Sequence, residues 1–207
     1  MKSQENVRNW YDKKGVECLN FFEKSQENEV VQIKKILKYL PKKAIILDVG
    51  CGIGKPVVKF LTEKGFEVIG IDISKEMIRE AKLNVPKSKF KVMSMYDLKF
   101  PNKKFNAIFS FFSILHLEKN KVPSVFEEFN RILKDDGYLF FSVNKGKEEG
   151  YYDFFGEKVF FSSYTNKEIK EILSKSKFKL NWKREFIFEK GNSKEYQLYY
   201  FAQKSPN

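Results

Sequence analysis

Only two of the 207 residues are cysteine, Cys18 and Cys51, and only one is histidine, His116. Two cysteines give no disulfide framework, so a reducing cytoplasm is the expected compartment. Neither they nor the lone histidine fall at metal-ligand spacing, so no metal site is expected. Long apolar runs are also missing. The longest, Ala107 to Leu117, is broken by Ser110, Ser113 and His116 and is too short to span a bilayer. The opening stretch from Met1 to Trp10 lacks an apolar centre, so no cleaved leader is expected. Arginine is scarce as well, at Arg8, Arg79, Arg131 and Arg184 only. The net charge of +12 is therefore almost wholly lysine. Those lysines interleave with glutamate, as in Lys167-Glu168-Ile169-Lys170-Glu171, and no dense cluster or arginine stripe marks a phosphate track. Solvated faces explain them better than a nucleic-acid surface does.

What is present is a core. Hydrophobic residues make up 42% and aromatic residues 16% of the chain, which excludes disorder and suits one domain of this length. Residues 1–40 read as an N-terminal helical cap. Val30, Ile33, Ile36, Leu37 and Leu40 recur at helical spacing, and Pro41 ends the element. Residues 41–207 then alternate strands and helices. Ala44–Val49 is the first strand, a helix runs to Lys64, and Phe66–Ile71 is the second strand. A helix capped by Ser74 follows, with Met77, Ile78, Ala81 and Leu83 expected on one face. Phe90–Met95 and Phe105–Phe112 are the third and fourth strands. A helix over Val122–Leu133 and a turn at Asp135-Asp136-Gly137 lead into a fifth strand, Tyr138–Val143.

Residues 145–165 form an aromatic segment, and Thr165-Asn166-Lys167-Glu168 is a capping box for another helix. Two alternating stretches, Phe178–Phe188 and Glu195–Ala202, flank Lys190-Gly191-Asn192-Ser193, a hairpin signal. The expectation is an α/β fold: a doubly wound, mostly parallel seven-stranded sheet closed by a C-terminal antiparallel hairpin.

The centre of the pattern is Asp48-Val49-Gly50-Cys51-Gly52-Ile53-Gly54, a strand end running into a side-chain-poor turn and then a helix. Such a turn is expected to bring backbone N–H groups close to a nucleotide-like ligand. The dinucleotide fingerprint wants its third glycine one position later, where Lys55 stands. Asp72, about twenty residues on at the end of the second strand, is placed to accept from both hydroxyls of a ribose. Asp97 follows the third strand. Both acids could instead serve as helix caps or turn formers, but two carboxylates at neighbouring strand ends beside one glycine turn favour ligand binding.

Together, Ile46–Gly54, Val68–Ser74, Met95–Leu98, Phe105–Ser110, Ile114–Leu117 and Arg131–Leu139 resemble, in order and spacing, the class I S-adenosylmethionine-dependent methyltransferases. The group within them that includes quinone-biosynthesis enzymes is the nearest in flavour. One departure is Asp135-Asp136-Gly137, where that family usually carries Pro-Gly-Gly. The resemblance implies that the Gly50, Cys51, Gly52 and Gly54 turn holds the methionine part of the cofactor, with Asp48 orienting its amino group. Asp72 would bind the ribose, Ile73 would pack on the adenine, and Asp97 would accept from the adenine amino group beside Tyr96. Ser110 and Phe111 would line the floor. The cofactor that the resemblance implies is S-adenosyl-L-methionine, with S-adenosyl-L-homocysteine as its product.

His116 is a candidate general base, with a pocket wall as the plainer role. Trp10 and Tyr11 are candidate lid residues, and Tyr151, Tyr152, Phe155 and Tyr164 candidate walls of an acceptor pocket. The implied function is methyl transfer to a small molecule. An RNA methyltransferase and a non-catalytic cofactor-binding module are the alternatives. The place after the fourth strand reads Phe111-Phe112-Ser113-Ile114 rather than the Asn/Asp-Pro-Pro-aromatic motif of base-nitrogen methylation. Neither cysteine suits cytosine C5 chemistry. No membrane partner is expected, and the oligomeric state is not addressed by the sequence.

Overall fold

The computed structural model describes residues 2–21, 27–190 and 193–206. Two helices, α1 (Lys2–Phe21) and α2 (Glu27–Ile36), precede β1 (Ile45–Val49), α3 (Val57–Glu63), β2 (Glu67–Asp72), α4 (Lys75–Asn84), β3 (Lys89–Val92) and β4 (Phe105–Ser110). Then come α5 (Val122–Ile132), β5 (Leu133–Asn144), β6 (Glu149–Phe154), β7 (Glu157–Ser162), α6 (Asn166–Lys175), β8 (Phe178–Lys190) and β9 (Ser193–Lys204). Seven strands form one sheet in the order β3-β2-β1-β4-β5-β9-β8. The first five are mutually parallel, while β9 runs antiparallel to both β5 and β8. The expected sheet and its closing hairpin are therefore present. The centre of the expected hairpin turn, Gly191-Asn192, lies outside the described residues.

The central strands are apolar on both faces because each face is covered. Leu47, Ile69, Ile108, Leu139 and Phe141 pack with Phe126, Phe129, Ile169 and Leu173 of α5 and α6. Ile46, Val68, Ala107, Phe109 and Phe140 pack with Ile33, Ile36, Val58, Leu61 and Ile78 of α2, α3 and α4 on the other side. Parallel strands read as near-continuous hydrophobic runs for this reason. A third, smaller cluster joins Val7, Trp10 and Cys18 of α1 to Val159 and Phe160 of β7, with Phe154, Phe155 and Phe161 against it.

Three local expectations change. Leu83 is 67% exposed, because α4 turns Met77, Ile78 and Ala81 inward and leaves position 83 outside that face. The chain from Asp135 to Gly137 folds Gly137 back against Leu133 and Lys134, but within β5 rather than ahead of it. It belongs to β5, where the pairing with β4 shifts register between Phe105 and Ala107, so a bulge absorbs the extra residues. The aromatic segment of residues 145–165, for which the sequence suggests no strand pairing, contains a separate two-stranded sheet of β6 and β7.

The strand order places β2 and β3 on one side of β1 and β4 and β5 on the other. The connections leaving β1 and β4 consequently diverge, opening a crevice at the carboxyl ends of the strands. That switch point determines where a ligand can enter the sheet edge.

Candidate functional site

A cavity of about 140 Å³ occupies this crevice. The turn after β1 contributes Gly50, Cys51, Gly52, Lys55 and Pro56, the end of β2 contributes Asp72 and Ile73, and the segment after β4 contributes Phe111, Phe112, Ser113, His116 and Leu117. Met93, Ser94 and Met95 follow β3, while Gln4, Val7, Tyr11 and Leu19 of α1 form a roof.

The glycine turn is held from within. Gly50 and Cys51 donate their N–H groups to the Ile71 carbonyl at 2.8 and 2.9 Å, and Gly52 donates to Asp72 Oδ2 at 3.0 Å. The N–H groups at 50, 51 and 52 are thus engaged by protein acceptors, which corrects the expectation that they form an open cradle. What the turn supplies is closeness. A Cβ on Gly50, whose φ is +75°, would lie 2.3 Å from Ser113 Cβ, and one on Gly52 would lie 2.9 Å from Leu19 Cδ1. Gly54 does not line the cavity, because its open side faces Phe90, Val85 and Ala81.

Asp72 also accepts from the Ser74 N–H at 2.9 Å, so each carboxylate oxygen already holds one backbone donor. A carboxylate has about four acceptor sites, which leaves capacity toward the cavity. Burial pushes Asp72 up to about 6, opposed by its backbone hydrogen bonds. Burial likewise pushes Asp48 up to about 8, with the charge of Asp72 adding to it.

The third acid is Glu29 of α2, only 2% exposed, whose Oε2 has no hydrogen-bond partner. Burial first, and then the Asp48 charge, push it up to about 9. Sequence reasoning missed Glu29, although a signal existed. Positions 29, 33, 36 and 40 share one helical face, and the acid stands among Ile33, Ile36 and Leu40 on it.

These acids give the ligand-free protein a pH dependence. In the unfolded chain Asp48 and Glu29 ionise near 3.8 and 4.5, whereas the fold holds their protons to about 8 and 9. Their contribution to stability is complete below the unfolded values and is lost as pH rises through the folded ones. His116, pushed down to about 4 by burial, adds no slope above its ordinary 6.5. The melting temperature of the ligand-free protein should therefore fall by several degrees between pH 6.5 and 9 in thermal denaturation. A rise across that range would mean that these carboxyls are ionised in the fold.

At the other wall, His116 Nδ1 lies 2.9 Å from the Phe160 carbonyl and Nε2 lies 2.9 Å from Tyr11 Oη. A carbonyl only accepts, so Nδ1 carries the proton and Nε2 takes the Tyr11 O–H. The tautomer is fixed by β7, and the phenol oxygen retains lone pairs at the cavity wall. Asp12 of α1 accepts from the Ser74 hydroxyl and the Glu76 N–H, and Asn6 bonds backbone groups of Lys158 and Phe160. The roof is thus anchored to α4 on one side and β7 on the other.

Other expected site residues lie elsewhere. Asp97 is exposed and pairs with Lys99 at 2.7 Å, and neither it nor Tyr96 lines the cavity, because β3 ends at Val92 and residues 93–95 take the wall. Ser110 is buried beneath the floor, bonded to Ser113 and the Val49 carbonyl. Trp10 packs behind the roof against Phe154, and Phe155 lies with it. Tyr151 and Tyr152 are exposed on β6. Tyr164 is drawn into the core beneath α5, where its hydroxyl accepts from Ser162. Among the described residues no cluster of His, Cys, Asp or Glu could hold a metal ion, and no helix is long and apolar enough to cross a membrane.

Comparison with known proteins points one way. A family model described as a methyltransferase domain matches residues 46–137. A Bacillus subtilis protein named provisionally as the methyltransferase YqeM is 37% identical over 110 residues, covering 51% of this chain and 44% of its own. The 2-methyl-6-phytyl-1,4-hydroquinone methyltransferase of Synechocystis is 33% identical over 106 residues, covering 50% of this chain and 33% of its own. This chain thus spans less than half the length of these two curated relatives. A crystal structure of an S-adenosylmethionine-dependent methyltransferase from Methanosarcina mazei superposes with a TM-score of 0.74 at 26% identity, over 83% of this chain and 97% of that one.

Proposed function

Because the chain is built on a class I S-adenosylmethionine-dependent methyltransferase domain, we propose that it transfers a methyl group from S-adenosyl-L-methionine to a small-molecule acceptor. The observation that carries this reading is Asp72. It stands at the end of β2 on the cavity wall, tied to the glycine turn through Gly52, with acceptor capacity left for a ribose diol. The donor set fits the cofactor: Asp48 for a cationic amine, Asp72 for vicinal hydroxyls, and Ile73 with Met93 and Met95 for a flat heterocycle. When bound, the cofactor supplies an activated methyl on a sulfonium.

This chain's residues would do the rest. The roof of α1 excludes water, and Phe111 and Phe112 shape the floor on which the acceptor is held in line. Tyr11 and His116 receive the acceptor's proton: it passes to Tyr11 Oη while the Tyr11 proton passes to His116 Nε2. With His116 pushed down to about 4, the pair is a weak base. Proton removal then accompanies or follows methyl transfer, when the acceptor has become strongly acidic.

A small acceptor is favoured by the mostly apolar lining, by the scattered lysines and by the hydroquinone relative. Calorimetry should show binding of S-adenosyl-L-methionine and S-adenosyl-L-homocysteine and no comparable heat for NAD. No binding of either sulfur nucleoside would sink the proposal. A methyl-transfer screen with labelled cofactor, against metabolite pools and total RNA in parallel, distinguishes the small-molecule reading from the RNA one.

A further inference from the structure

We propose that Glu29, contributed by α2 rather than by the strands and their connecting turns, is the second carboxylate of a paired site for the cofactor's α-ammonium group, opposite Asp48. The inference rests on the cofactor reading above.

A buried polar atom without a partner is rare, and each one asks for an explanation. Glu29 Oε2 is such an atom, and its side chain lines the cavity at the Asp48 end. The groups that face it are few. Asp48 of β1 is coupled to it, and Tyr199 of β9 senses its charge while its hydroxyl bonds Gln197 at 3.4 Å. Lys55 lies on the same cavity wall, but no ion pair joins it to Glu29 among the described residues. Two carboxyls facing one space repel each other once ionised, so the ligand-free site keeps protons on them. A cationic donor between them reverses that balance. It offers three N–H bonds, satisfies the orphan oxygen and draws both groups to their charged forms. A neutral ligand or a water would satisfy the oxygen without supplying the charge.

The site therefore couples cofactor binding to proton release, and it ties α2 to the ligand. Two probes separate the ammonium from the rest of the nucleoside: S-adenosyl-L-homocysteine, which carries it, and 5′-methylthioadenosine, which lacks the whole amino-acid part. Glu29→Gln keeps the shape and removes the charge. It should weaken S-adenosyl-L-homocysteine by about tenfold or more and leave 5′-methylthioadenosine within about twofold. Calorimetry in two buffers of different ionisation enthalpy should show proton release on binding S-adenosyl-L-homocysteine near pH 7.5, reduced in Glu29→Gln. As a second variant, Glu29→Met should raise the melting temperature of the ligand-free protein while weakening the same ligand, since it replaces an unpartnered acid with an apolar chain of similar length.

Equal loss for both ligands, a lower melting temperature in Glu29→Met, or unchanged S-adenosyl-L-homocysteine affinity in Glu29→Gln would overturn the proposal while leaving the cofactor reading intact. Failure of the unsubstituted protein to bind either ligand would remove the cofactor reading itself, and this inference with it.

Discussion

Asp72→Ala is expected to lower affinity for S-adenosyl-L-homocysteine by at least about a hundredfold, since two hydrogen bonds to a charged group are each worth about 1.5–3 kcal/mol. The same substitution should also lower the melting temperature. Asp72 is the acceptor for the Gly52 and Ser74 N–H groups, so its removal orphans one buried and one half-buried donor and loosens the glycine turn as well as the start of α4. Ser74→Ala is the control. It removes the hydroxyl that caps the Met77 N–H, at about 1 kcal/mol, and that donates to Asp12 of the roof, without touching the carboxylate. A comparable loss of affinity in that control would assign the Asp72 effect to loosening of α4 and the roof rather than to the ribose.

The pH dependence follows from the same carboxyl. Only the ionised form accepts from both ribose hydroxyls, and in the ligand-free protein Asp72 is pushed up to about 6. The Asp72 contribution to affinity should therefore be complete above that value and be lost as the pH drops below it, while proton release at Asp48 and Glu29 makes the overall affinity climb further toward about pH 8–9. An unchanged affinity in Asp72→Ala would remove the ribose assignment.

Tyr11→Phe and His116→Gln are each expected to lower kcat by about a hundredfold, the lower end of what a positioned proton acceptor contributes, while cofactor affinity changes only a few fold. The two should not add, because the 2.9 Å contact makes them one relay. The pH profile separates this role from a wall of the pocket. A histidine base at its ordinary 6.5 would lose activity below that value, whereas burial holds His116 near 4. With saturating cofactor, kcat should persist down to about pH 5 for as long as the protein stays folded. A break near 6.5, or a kcat unaffected by Tyr11→Phe, would sink the relay. A loss of cofactor affinity in His116→Gln as large as the loss of kcat would make the histidine structural.

Much of the fold is legible in the residues because the signals are local. A buried strand needs a short run such as Ile45–Val49, a tight turn needs Gly50 and Gly52, and the capping box at Thr165–Glu168 forms with both of its expected bonds. Asp72 could be picked out for the same reason, since its place follows from the length of one βαβ unit. Residues whose role depends on distant packing were less legible. Tyr164 looks like any aromatic in an aromatic segment, yet the pairing of β6 with β7 and the position of α5 draw it into the core. Asp97 sits beyond a strand that ends earlier than its apolar run suggests, so its carboxylate reaches Lys99 in solvent.

The sequence by itself determined the alternating α/β architecture, the glycine turn and the acid at the end of β2, because hydrophobic period and turn chemistry are properties of neighbouring residues. Only the tertiary structure decided three things about the site. It engaged the turn's N–H groups with Ile71 and Asp72, it brought Tyr11 to His116 across 105 positions, and it turned Glu29 inward onto the Asp48 end of the cavity. Each is a contact between segments far apart in the chain, and burial, which no local pattern reports, decides what each one does.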